Sequence, residues 1–150
     1  MIRNATYEDI EKLEPLAIEM HGTGSTQRFT DFHIPKFRDY CKRCIEYNNR
    51  YFRVFDSGSG PSAFFMGFVS EHLYGRDRVG VQENMWTDGK TPMCGIRLSK
   101  DFEKWCKEKG VAEITFSITH SHDKERHGKF MSRLGYKDSG TVYKKRMNHV

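Results

Sequence analysis

Two patterns in this sequence combine residue types and spacings that could do chemistry. The first is the stretch MWTDGKTPMCGIRLSKDFEKWCKEKG, Met85 to Gly110. It reads as a strand end, a loop containing Gly89 and Gly95, and a basic helix stopped by Gly110. A helix start offers unpaired N–H groups and a partial positive charge, which suits a phosphate-bearing cofactor. An ordinary strand–loop–helix connection is the plainer alternative. The second pattern is Cys41-Lys-Arg-Cys44, which together with His120 and His122 offers the donor types of a zinc site. An isolated Cys-x-x-Cys lacks the second well-spaced pair that such a site needs, and this one falls inside a predicted helix. No metal is expected.

The elements that must position these residues follow from periodicity. Met1 to Asn4 reads as a short strand. Thr6, followed by Glu8 and Asp9, caps a helix whose Ile10, Leu13, Ala17 and Met20 recur at helical spacing. Pro15 should kink or split that helix. Residues 21–33 are polar and loop-like. A second helix starts near Pro35 with Phe37, Tyr40, Cys41, Cys44 and Ile45 on its apolar face. Residues 50–74 form a hairpin around Ser57–Pro61, and RVGVQENMW is a third, antiparallel strand. The next helix carries Leu98, Phe102, Trp105 and Cys106 on one face. VAEITFSIT alternates as a strand, residues 122–134 are helical and end at Gly135, and TVYKKRM is the last strand. The order is β-α-α-β-β-β-α-β-α-β, an α/β arrangement (α+β in some schemes) with a mixed sheet and helices on both faces.

At 150 residues the chain is expected to be one domain, residues 1–150, with a sizeable core. No run approaches the roughly 18 apolar residues of a membrane span, so no membrane partner is expected. The start MIRNATYEDI lacks the apolar core of a signal peptide, which makes the cytoplasm the expected compartment. A net charge of +5 favours an anionic partner, either a nucleotide cofactor or nucleic acid. The cations are scattered apart from Lys144-Lys145-Arg146, so a solvated basic surface accounts for them as well.

The element order, the loop KTPMCG (Lys90 to Gly95) and the ending ERHGKFMSRLGYKDSGTVYKKRM together resemble the GNAT superfamily of N-acetyltransferases, over nearly the whole chain. The "DRV" leading into the central strand and the "GKF…LGY" ending resemble short GNAT proteins of bacterial viruses, which would make the compartment a host cytoplasm. The resemblance implies a GNAT-like, mostly antiparallel central sheet. It also implies acetyl-CoA as cosubstrate, its pyrophosphate resting on the loop. Lys90 takes the cationic first place and Gly95 the last glycine, with Thr91, Pro92, Met93, Cys94, Ile96 and Arg97 completing the cradle. Thr91 and Met93 stand where the family has glycines. Main-chain groups of Met85 and Trp86, on a strand edge from Glu83 to Trp86, would hold pantetheine.

The implied reaction moves an acetyl group to a primary amine of a small molecule or protein. Glu83, on the same strand face as Val79, is the candidate base, and a solvated strand carboxylate is its plainer reading. Glu71 and His72 are acceptor-pocket candidates, and His120 and His122 sit at the mouth where ligands of open sheets bind. The family's usual tyrosine acid is replaced by Met131. A different reading is a catalytically weak GNAT-fold protein that binds a host protein or nucleic acid. Oligomeric state stays open, a homodimer included.

Overall fold

A computed structural model describes residues 1–23, 30–118, 124–145 and 147. Its elements are β1 (Ile2–Asn4), α1 (Asp9–Thr23), α2 (Ile34–Glu46), β2 (Arg50–Asp56), β3 (Pro61–Glu71), β4 (Arg78–Thr87), α3 (Cys94–Glu108), β5 (Val111–Thr115) and α4 (Lys124–Arg133). The strands form a five-stranded sheet in sequential order. Its pairs are antiparallel except for β4 with β5, which run parallel. No helix among the described residues is long and apolar enough to cross a membrane.

Both faces of the sheet are covered, so its central strands read as apolar runs rather than strict alternations. On one face Phe52, Val54, Phe64 and Met66 pack with Leu13, Ala17 and Met20 of α1 and Cys41 and Cys44 of α2. On the other, Tyr51, Phe65 and Val69 meet Leu98, Phe102, Trp105 and Cys106 of α3. Burial pushes the thiol of Cys41 up to about 12 and that of Cys44 up as well, which removes both as nucleophiles at neutral pH. Pro15 lies inside a continuous α1. The proline forfeits one N–H, but Leu13, Leu16 and Ala17 on either side of it are buried, and their packing holds the helix together.

The orientation of α3 is fixed at several points. The Tyr51 hydroxyl donates to Asp101 at 2.6 Å and Arg53 pairs with the same oxygen at 2.7 Å. Gly67 lets the helix approach closely, since a Cβ there would lie 2.7 Å from the Phe102 ring and 2.8 Å from the Val81 carbonyl oxygen. Gly110, at φ 71°, ends the helix as its glycine pattern predicts.

Three expectations change, the first being that α1 runs on to Thr23, into the segment 21–33 expected as loop. Thr141 to Lys145 and Met147 form no strand, so the described sheet ends at β5. In that segment Val142 shares a strand face with Lys144, and Tyr143 with Lys145, leaving no continuous apolar face to bury. Val142 and Tyr143 are accordingly 70% and 91% exposed. The predicted strand 111–119 also stops early, at Thr115. His120 and His122 lie outside the described residues, as do residues 24–29 of the 21–33 loop.

The N-terminal end is held by a charged clamp. Arg3 donates to both carboxylate oxygens of Asp9, at 2.7 and 2.9 Å, and to Asp56 at 2.9 Å. Asp9 is 2% exposed and also accepts from the Thr6 N–H and hydroxyl. The Arg3 guanidinium and these donors lower the Asp9 carboxyl from 3.8 to about 2. Because its folded value is depressed, the stabilisation is complete above the unfolded value and is lost as pH falls from about 4 toward 2. Asp9→Asn should therefore cost about 2 kcal/mol in urea unfolding at pH 7. The gap from the parent should close steadily across that acid window, whereas a pH-independent gap would contradict the assignment.

Candidate active site

The site begins at an irregularity in β4. Gly67 pairs with Gln82 and Met66 with Asn84, so Glu83 is an extra residue in β4, a β-bulge. The bulge puts Glu83 and Asn84 on the α1/α2 face together and turns the strand away from β5. Pairing with β5 ends at Val81 opposite Thr115. Beyond that point the buried Gln82 side chain spans the gap, its Oε1 accepting from the Ser117 N–H at 3.1 Å. The β5-facing edge of β4 from Glu83 to Thr87 has no strand neighbour among the described residues.

A cavity of about 1120 Å³ occupies this gap. Its walls come from both faces of the sheet. Glu19, Glu83 and Trp86 contribute from the α1/α2 face, while Met85, Thr87 and the first turn of α3 contribute from the other. Phe116, Ser117 and Ile118 form the β5 side, and α4 closes it with Arg126, His127, Lys129, Phe130, Met131 and Arg133. The cavity thus carries the cations of α4 with Glu125 among them, and the carboxylates of Glu19, Glu83 and Asp88 from α1, β4 and the loop.

The loop from Asp88 to Met93 reaches the helix by local self-capping. Thr87 Oγ1 accepts from the Gly89 N–H at 2.9 Å, and Asp88 Oδ1 accepts from the Lys90 N–H at 2.8 Å. Met93, at φ 65° and ψ 0°, adopts the left-handed conformation that costs a non-glycine residue about 1–2 kcal/mol. Met93 therefore keeps the backbone path that a glycine would take freely. No side chain caps α3. The N–H groups of Cys94, Gly95 and Ile96 have no carbonyl one turn earlier within the helix, and all three residues line the cavity.

The residues singled out in the sequence separate into two groups. Met85, Trp86, Thr91, Met93, Cys94, Gly95, Ile96 and Glu83 line the cavity. Lys90, Pro92 and Arg97 do not. The Lys90 N–H is turned to Asp88, Pro92 has none, and the Arg97 guanidinium lies over the Phe55 ring at 5.6 Å. Glu83 Oε2 accepts from Arg50 at 3.0 Å, and the same Arg50 nitrogen donates to the Tyr40 hydroxyl at 3.1 Å. Glu71 and His72 sit beside Arg78, at the opposite end of β4 from the loop, away from the cavity. Tyr136 is structural, its hydroxyl donating to Glu103 at 2.8 Å and its ring packed on Phe116. Gln82, Glu19 and the α4 row were not anticipated. The spacing of Arg126, Lys129 and Arg133 on one helical face was the available signal.

The chain, whose sheet opens between its two parallel strands, beyond a bulge in β4 and with a helix start aimed at the opening, has the GNAT fold. Among solved structures it is similar to a transcriptional regulator from Bacillus halodurans C-125, at TM-score 0.79 and 18% identity over 98% of this chain and 99% of that one. It is similar to glucosamine-6-phosphate N-acetyltransferase from Arabidopsis thaliana, at TM-score 0.73 and 15% identity over 99% of this chain and 98% of the other. A third neighbour is an aminoglycoside acetyltransferase from an uncultured soil metagenomic sample, solved with sisomicin, at TM-score 0.71 and 13% identity over 99% and 96%. No protein-family model and no curated protein matches the sequence.

Proposed function

We propose that residues 1–150 act as one cytoplasmic acetyltransferase domain that moves the acetyl group of acetyl-CoA to a primary amine. The observation that carries this reading is one cavity lined from both faces of the sheet, where the uncapped start of α3 and the Glu83 carboxylate both open onto the gap. The cosubstrate supplies an activated acyl group as its thioester. The amides of Cys94, Gly95 and Ile96, with those of Thr91 and Met93, bind its diphosphate, aided by the positive end of α3. Lys129 and Arg133, with the side chains of Lys90 and Arg97 further out, supply long-range attraction. The main chain of Met85 and Trp86 orients the pantetheine arm as an added strand would be held. An N–H at that edge can also meet the carbonyl oxygen, where charge develops.

Glu83 accepts the proton of the incoming ammonium, directly or through water, once Arg50 releases the carboxylate oxygen it now holds. Holding both reactants across the gap provides the remaining advantage, which is proximity. The second reading, a weakly catalytic binding protein for a host protein or nucleic acid, is favoured by Met131. This side chain cannot donate a proton, yet it lines the cavity where the family carries tyrosine.

Thermal unfolding with and without acetyl-CoA tests the first reading. Ligand at about 100 times its Kd adds about 2.7 kcal/mol, which raises the midpoint by roughly 5–10 °C for a chain of this size. An unchanged midpoint at millimolar cosubstrate favours the second reading.

A further inference from the structure

The α1/α2 face holds a second, smaller cavity of about 190 Å³. We propose that this cavity seats the aromatic ring of the acceptor, and that the acceptor is a small arylalkylamine with a ring hydroxyl. The inference rests on the acetyltransferase reading and adds the substrate class to it.

Size and lining come first. An apolar cavity of about 150 Å³ accommodates benzene, so this one admits a single ring and little more. Met20, Phe32, Phe37, Tyr40, Phe64 and Met66 make the wall mostly apolar. Such a lining rewards an aromatic occupant and, with polar groups only at His21, Tyr40 and Asn84, leaves most hydroxyls and ammoniums of a sugar or polyamine unpaired.

The polar detail is specific. Nε2 of His21 is buried in this wall and has no hydrogen-bond partner among the described residues. The imidazole is steadied edge-on by Phe32, with ring centroids 5.6 Å apart. A buried imidazole nitrogen without a partner is a cost that an occupant bearing a hydroxyl would relieve.

Neighbouring residues at the bulge line the two cavities. Asn84 lines the small cavity and its neighbour Glu83 lines the large one, both on the same face of β4. Arg50 binds Tyr40, in the wall of the small cavity, and Glu83 with one nitrogen. A ring seated beneath α1 and α2 therefore directs a short aminoalkyl chain toward Glu83 and the β4–β5 gap. Glu83 and Glu19 supply the negative charge that an ammonium needs there.

Calorimetric titration with tyramine, 2-phenylethylamine and spermidine tests this. Tyramine should bind about tenfold tighter than 2-phenylethylamine, as expected for one hydrogen bond to a buried group, and spermidine should be the weakest. His21→Phe should erase the preference for tyramine without lowering the thermal midpoint. Phe37→Ala, at a half-exposed position, should weaken both aryl amines alike. Tighter binding of spermidine, or a tyramine preference that survives His21→Phe, overturns the proposal. Acetyl-CoA melts report the acetyltransferase reading separately. Stabilisation by acetyl-CoA without tyramine binding removes the ring site alone. Selective tyramine binding without stabilisation removes acetyl transfer and leaves the ring site standing.

Discussion

Thr91→Glu should abolish stabilisation by acetyl-CoA while leaving the unliganded protein at least as stable as the parent. Thr91 is half-buried, lines the large cavity and lies just ahead of the first turn of α3. A carboxylate near a helix N-terminus is favourable by about 0.3–1 kcal/mol, so the fold should not suffer. The same carboxylate occupies the region assigned to a diphosphate. At a separation of about 5 Å and an effective dielectric of about 20, each pair of like charges costs about 3 kcal/mol, which is more than a hundredfold in Kd. The two effects have opposite signs, so misfolding cannot imitate the result. Lys90→Glu, the substitution that the sequence alone would select, should cost less. The Lys90 N–H is tied to Asp88 and its side chain lies outside the cavity. A full acetyl-CoA shift in Thr91→Glu would remove the diphosphate from this loop.

The second large effect is expected at Glu83. Glu83→Gln should lower kcat by about 10²–10⁴, the usual contribution of a positioned general base. KM for acetyl-CoA should stay within a factor of about two, because the carboxylate faces the amine side of the gap. Stability should change little, since the amide oxygen can still accept from Arg50. Equal losses in kcat and in thermal midpoint would point to a structural ion pair instead. An unchanged kcat would return Glu83 to the solvated carboxylate that its position on a strand suggests.

The division between what was legible in the sequence and what was not has physical causes. The apolar stripe of α3, the hairpin of β2 and β3 and the stop at Gly110 are local patterns, and local patterns survive folding. The bulge at Glu83 is a property of register between β3 and β4, so no single strand encodes it visibly. Yet it creates the gap, aims Glu83, and ends β5 at Thr115. Met93 reads as a lost glycine, whereas its backbone keeps the glycine-like conformation and stores the strain. Pro15 reads as a helix breaker, and tertiary packing overrode it. The last strand failed for the converse reason. Thr141 to Lys145 has strand-forming residues but no face on which to bury them. Arg126, Lys129 and Arg133 share helical spacing, but the cavity they line depends on where α4 lies against the sheet, which no local pattern encodes.

On the reading proposed above, the opened sheet and the uncapped start of α3 together hold a thioester cosubstrate. The most direct measurement is a ¹H–¹⁵N amide spectrum recorded during titration with acetyl-CoA. The resonances of Cys94, Gly95 and Ile96 should move downfield as their N–H groups meet the diphosphate. Met85 and Trp86 should shift in the same titration. Saturable binding that leaves these five amides in place, and perturbs α2 or the β3–β4 turn instead, would contradict it.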